Sequence, residues 1–165
     1  ERCNWPDFRN INDPHEFMLS WCHGAPGILL SRRIFVEALF FDEHTSFELN
    51  SARSSTFAAI KQSLKYSGNP SNLCCGVLGL TSLLRVDSQF SDLSLAEILK
   101  TIENTVISNA QASGGYNFFK VDTGSLNLPG LFTGKAGVAL ALIESVEGMH
   151  WLPAVLSAGL LNVEH

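Results

Sequence analysis

The sequence predicts an all-α fold of repeated helical hairpins, and three observations predict it. Three glycine-centred segments align without a gap. The stretches after them are apolar with a helical period. No stretch alternates polar and apolar residues as a half-buried strand does. The aligned segments are WCHGAPGILL at 21–30, LCCGVLGLTS at 73–82 and LFTGKAGVAL at 131–140. Each contains a G-x-x-G pair: Gly24 and Gly27, Gly76 and Gly79, Gly134 and Gly137. The first glycines stand 52 and 58 residues apart, room for about two helices and their loops.

In chain order, the first motif opens an apolar helix through Ile28, Leu29 and Leu30. The segment SARSSTFAAIKQSLKYSG then places Phe57, Ile60 and Leu64 on one face and ends at Gly68. The second motif opens another apolar helix. SLAEILKTIENTVISNAQASGG follows it, with Leu95, Ile98, Leu99, Ile102, Val106 and Ala110 along one stripe. Ser94 is its predicted N-cap, and Gly114 or Gly115 its stop. The third motif leads into VALALIESV. Each unit therefore reads as a loop, a glycine-opened apolar helix and an amphipathic helix. The glycines supply positive φ or let a helix start approach its neighbour closely, and the third motif is read as such a packing device. It is not a phosphate-binding loop: only three residues separate Gly130 from Gly134, and Ala136 stands where Ser or Thr is required.

Composition narrows the function. The chain has 165 residues, 45% of them apolar, enough for one core of ordinary size. Only 16% are charged, against roughly 25% in soluble domains generally, so much of the chain faces an interior or a neighbour. The net charge is −5, with the basic residues scattered, which excludes a nucleic-acid surface. No apolar run approaches the ~20 residues of a membrane span, and no signal peptide opens the chain. Four cysteines in 165 residues are too sparse for a disulfide scaffold, so a reducing cytoplasm is expected. The first residue is Glu1 rather than Met, and residues 1–165 are expected to be the C-terminal portion of a longer protein.

Adjacent Cys74 and Cys75 are the chemical signal. Neighbouring cysteines rarely bond to each other, and these lack the two-residue gap of a zinc knuckle. In the repeat register Cys22 falls on Cys74 and His23 on Cys75. Equivalent helix starts that converge on one side of the array bring the three sulfurs together. Three thiolates with an open fourth position make a catalytic zinc site. Cys3, outside any motif, reads as a small buried hydrophobe. His15, His44, His150 and His165 read as exposed or locally bonded.

SWCHGAPGI, NLCCGVLGL and PGLFTGKAGVALALI together resemble the C-terminal signature motifs of the lanthionine synthetase C-like family. The likeness is nearest to the cyclase domain that ends the bifunctional class II lanthipeptide synthetases, and LPAVLSAGLL is similar to the family's C-terminus. The resemblance implies an α/α toroid, a double ring of helical hairpins of which this chain holds the last three or so. It implies one Zn²⁺ in the central cavity. Carried over position by position, Cys22, Cys74 and Cys75 are its ligands. Family members commonly have His where this chain has Cys75, and a subset carries the same CCG. The implied reaction is Michael addition of a peptide cysteine thiol to dehydroalanine or dehydrobutyrine, forming a (methyl)lanthionine thioether ring. Its substrate is a leader–core precursor peptide. An N-terminal dehydratase domain and further cyclase repeats are expected in the full-length protein. His23, beside Cys22 where the family has Tyr or His, is the implied catalytic proton carrier.

Three other readings fit the same residues. One is a helical-repeat binding module with reduced, buried cysteines and no metal. Another is a closed structural zinc site with His23 as fourth ligand. The third is a related transferase that adds glutathione to an electrophile.

Overall fold

The computed structural model describes residues 4–5, 18–37, 42–66, 68–87, 93–118 and 128–148. Within them lie five helices and no strand: α1 (Ala25–Glu37), α2 (Glu43–Ser63), α3 (Val77–Val86), α4 (Leu93–Ser113) and α5 (Lys135–Glu147). Helices α1, α3 and α5 each begin immediately after the first glycine of a motif. The amphipathic α2 and α4 alternate with them, as the repeat predicts. This is the all-α hairpin array of an α/α toroid fragment. No described helix is long and apolar enough to cross a membrane.

Helix α3 occupies the centre and touches the other four helices. Every residue from Val77 to Leu84 is buried, as expected of a helix that is apolar nearly all round. Leu78, Leu83 and Leu84 are at most 2% exposed, and burying each contributes about 2 kcal/mol. Helix α4 lays its predicted stripe inward. Leu95, Leu99, Ile102 and Val106 are buried, while Ile98 and Ala110 are half-buried.

Three boundaries differ from expectation. Helix α2 starts eight residues before Ser51, because Asp42 caps it: its Oδ1 accepts the Thr45 N–H at 2.6 Å. It ends at Ser63 rather than Gly68 and leaves Leu64 exposed. Here the amides of Lys65 and Tyr66 bond three residues back to Gln62 and Ser63, tightening the last turn. The Asn69 side-chain amide then donates to the Ser63 and Tyr66 carbonyls, closing the helix end. At α4 the helix is already under way at Leu93, so Ser94 lies inside the first turn. Its C-terminal stop is as predicted, with Gly114 at φ +77°.

The motif glycines serve close approach. A Cβ on Gly79 would sit 1.9 Å from the Leu73 carbonyl oxygen, and one on Gly137 would sit 1.7 Å from that of Leu131. Gly27 bears the same relation to Trp21. Each loop therefore folds back against the first turn of its own helix, at a distance no side chain allows. The loops close alike. Val77 N–H donates to the Pro70 carbonyl at 2.8 Å, and Lys135 N–H to that of Leu128 at 2.7 Å. In the first loop an amide is inserted between the matching pair. Asn4 Oδ1 accepts the Ala25 N–H at 2.8 Å, and its Nδ2 donates to the Met18 carbonyl at 3.2 Å.

Buried ionic pins join successive repeats in the same register. Arg33 reaches Asp87 at 3.4 Å, and Arg53 grips that carboxylate with two nitrogens, one at 3.0 Å. Arg85, the repeat equivalent of Arg33, pairs with Glu103 and donates to Ser145 Oγ at 3.2 Å; Ser145 is the equivalent of Asp87. Arg33 of α1 and Arg85 of α3 thus reach equivalent register positions, Asp87 and Ser145, in the next repeat.

Candidate metal centre

Each ligand loop is shaped by local hydrogen bonds. In the first, Ser20 N–H donates to the His23 carbonyl at 3.0 Å and His23 N–H returns to Ser20 at 3.2 Å, leaving Trp21 and Cys22 at the tip of a tight turn. In the second, Asn72 Oδ1 accepts the Cys75 N–H at 2.7 Å, and its Nδ2 donates to the Phe118 carbonyl. Asn72 is 2% exposed, so both ends of its amide are used where water could not serve them. The third loop ties the other two. The Phe132 carbonyl accepts the Cys74 N–H at 2.9 Å, and its ring stacks on Trp21 with centroids 5.0 Å apart.

These loops bring together the sulfurs of Cys22, Cys74 and Cys75. Cys22 Sγ lies 3.3 Å from Cys74 Sγ and 3.4 Å from Cys75 Sγ, and Cys74 and Cys75 are 3.4 Å apart. All three are free thiols, with Cys22 and Cys74 half-buried and Cys75 exposed. A triangle of these edges places each sulfur about 1.9 Å from its centre, inside the ~2.3 Å Zn–S bond. Cys22, Cys74 and Cys75 would together hold one such ion, each offering one sulfur. Three soft sulfur donors suit zinc chemically. The donor set fits the metal.

His23 sits beside the triad and not in it. Its Nδ1 is 3.0 Å from Cys22 Sγ, yet the group whose ligand atoms all lie within 4.8 Å of one another comprises the three cysteines alone. A closed site with His23 as fourth ligand does not match this arrangement, and among the described residues no fourth ligand joins the three sulfurs. A cavity of about 1030 Å³ runs up to Cys75, between Leu19, Ser20, Tyr66, Phe118 and Thr133.

The thiols share protons unevenly. Burial pushes Cys22 up, but hydrogen bonds with the Ser20 hydroxyl, the Cys74 and Cys75 thiols and His23 outweigh it, bringing Cys22 from 9.0 down to about 7. Burial raises Cys74, reinforced by its bonds to the neighbouring sulfurs and by their charge. Burial likewise raises Cys75. Cys22 therefore carries the first thiolate, and a dication is needed to draw the remaining protons off.

His44 is 79% exposed and faces Glu48 at 3.6 Å, a local pairing as expected. Cys3, His15, His150 and His165 lie outside the described residues. Ser20, Asn72, Trp21 and Phe132 shape the site and were not singled out from the sequence. Ser20 and Asn72 share one register position, two residues before Cys22 and Cys74, and that repeated polar residue was the available signal.

The fold and site define a class: a helical-repeat protein whose glycine-opened helix starts converge on three thiols placed so that they could hold a metal ion. The family model described as lanthionine synthetase C-like protein matches residues 1–156, and the chain belongs to that family. No curated protein matches the chain. Among solved structures none matches it.

Proposed function

We propose that the chain supplies the metal-bearing repeats, residues 1–165, of a zinc-dependent lanthipeptide cyclase. The convergence of three sulfurs from two equivalent loops to within 3.4 Å carries this reading, and membership of the family supports it. Cys22, Cys74 and Cys75 hold one Zn²⁺. When bound, zinc supplies an open position for a substrate thiol and stabilises it as a thiolate at neutral pH.

The remaining work belongs to the chain. The substrate sulfur forms a bond to the β-carbon of dehydroalanine or dehydrobutyrine in the same precursor peptide. The carbon–carbon π bond opens, and the α-carbon takes a proton. The thiol proton lost at the start balances the proton gained at the end, and no electrons leave or enter. His23 suits this exchange. A Cys22 thiolate can only accept, so His23 Nδ1 donates to it across 3.0 Å. With Nδ1 as the donor, Nε2 is the ring nitrogen that takes the thiol proton and later returns it to the α-carbon. The cavity at Cys75, lined by Leu19, Tyr66 and Phe118 among others, gives a peptide room to reach the sulfurs.

The test is metal content by elemental mass spectrometry, beside a Cys22→Ser, Cys74→Ser, Cys75→Ser triple variant, followed by cyclisation of a dehydrated precursor peptide. About one zinc per chain, lost in the variant together with ring formation, is the expected result. A folded, metal-free chain would reject it. Zinc retained with glutathione rather than a peptide thiol as the accepted nucleophile would move the activity to transferase chemistry.

A further inference from the structure

The third motif contributes no ligand atom: Phe132 and Thr133 stand where the other two motifs carry Cys22–His23 and Cys74–Cys75. We propose that it is nonetheless part of the metal centre, a clamp that sets the spacing of the ligand loops, with Phe132 as its positioning residue. The inference rests on the reading of the three sulfurs as a metal site.

Phe132 holds both ligand loops at once, each by a different part of the residue. Its carbonyl accepts the N–H of Cys74 itself at 2.9 Å. Its ring lies nearly parallel to that of Trp21, the residue before Cys22, with 15° between planes and 5.0 Å between centroids. Two loops 52 residues apart are therefore referred to one point. That point is itself anchored. Lys135 N–H closes the third loop onto the Leu128 carbonyl at 2.7 Å. The start of α5 lies so close to Leu73, the residue before Cys74, that a Cβ on Gly137 would meet Leu73 Cδ1 at 3.0 Å.

The triad has need of an external hold. Sulfurs 3.3–3.4 Å apart repel as they ionise, and contacts between thiols are weak. Where the loops are not held, ordering them is charged against metal affinity, and holding them in advance removes that cost. The clamp does so without donating a ligand, which keeps the fourth position open.

The test measures zinc affinity of the full chain by competition with a chromogenic chelator, and the absorption of the Co²⁺-substituted protein, whose sulfur-to-metal bands report the thiolates bound. Phe132→Ala removes the stack and leaves the carbonyl in place. It is expected to weaken zinc binding roughly tenfold, the value of a lost aromatic pair, and to diminish the sulfur-to-cobalt bands. Trp21→Leu, which installs the residue the other two motifs carry, has the same effect, and the double variant is no worse than either single one. Phe132→Tyr restores binding. Leu131→Ala, which removes apolar contact from the same loop but neither the ring stack nor the Phe132 carbonyl, is expected to keep affinity within about twofold of wild type.

Unchanged affinity in Phe132→Ala, or an equal loss in Leu131→Ala, overturns the clamp. If Phe132→Ala does not fold, wild-type affinity in Trp21→Leu overturns it and a tenfold loss with diminished cobalt bands sustains it. A wild-type chain that binds no zinc rejects the metal site and the clamp together. Zinc binding that ignores all these substitutions rejects the clamp alone.

Discussion

Cys22 Sγ lies 3.3 Å from Cys74 Sγ although 52 residues separate them. They occupy the same position in successive repeats, two residues before the glycine that opens each helix. Stacking two like units brings like corners together, so one loop position repeated is a pair of sulfurs in space.

In the metal-free chain, Cys22 is the thiol that ionises first. Its value of about 7 lies below the ordinary 9.0, while Cys74 and Cys75 are raised. Iodoacetamide is expected to label Cys22 half-maximally near pH 7 and the other two only above pH 9, as read by peptide mass spectrometry. The sign for stability follows. A depressed folded-state value contributes above pH 9, and that contribution is lost as pH falls through 7. The raised pair act oppositely, favouring the fold below pH 9 and losing that contribution at higher pH. Uniform labelling of all three at pH 7 would contradict the arrangement.

His23→Gln separates binding from chemistry. Since His23 is outside the group of three, zinc content should stay at wild-type level while cyclisation slows by about 10²–10⁴-fold. Parallel loss of zinc and rate would make His23 a ligand instead.

Cys75→His tests the third thiolate. The exchange removes one negative charge from the ligand set, so the substrate sulfur should be less electron-rich and ring closure slower at full zinc occupancy. Single-turnover rates compared at equal metal content decide it, and an unchanged rate counts against the charge argument.

Asp87→Asn addresses the pin between repeats. Asp87 is 2% exposed and faces both Arg33 and Arg53, so its neutralisation should cost about 3 kcal/mol in urea unfolding. Glu48→Gln breaks the Arg32–Glu48 pair, where Arg32 is 25% exposed, and should cost under about 1 kcal/mol. Equal losses would show that the register pin carries no special weight.

Gly79→Ala drives a Cβ against the Leu73 carbonyl, a backbone atom that cannot step aside. A loss of about 3 kcal/mol is expected in thermal or urea unfolding. Gly68→Ala meets nothing within 4 Å and should be neutral or stabilise by up to about 1 kcal/mol, through the unfolded chain. A mild Gly79→Ala would mean the helix start can shift.

Local periodicity and repeat register were sufficient to read the all-α class, the apolar stripe of α4 and the identity of the three sulfurs, because each depends on residues at fixed spacing along the chain. Helix ends were less legible. Asp42 and Asn69 terminate α2 through side-chain bonds that compete with the apolar pattern, so Leu64 was placed on a buried face that it does not occupy. What only the tertiary structure decided is which groups stand around the sulfurs. That His23 touches Cys22 without joining the triad, and that Phe132 binds one ligand loop by its ring and the other by its carbonyl, depends on contacts between loops 52 and 58 residues apart in the register. Distances of this kind are set by how the helices stack. A linear pattern carries the period of that stacking and not its separations, so the sequence singled out the three cysteines and the packing of three loops determined which groups stand beside them.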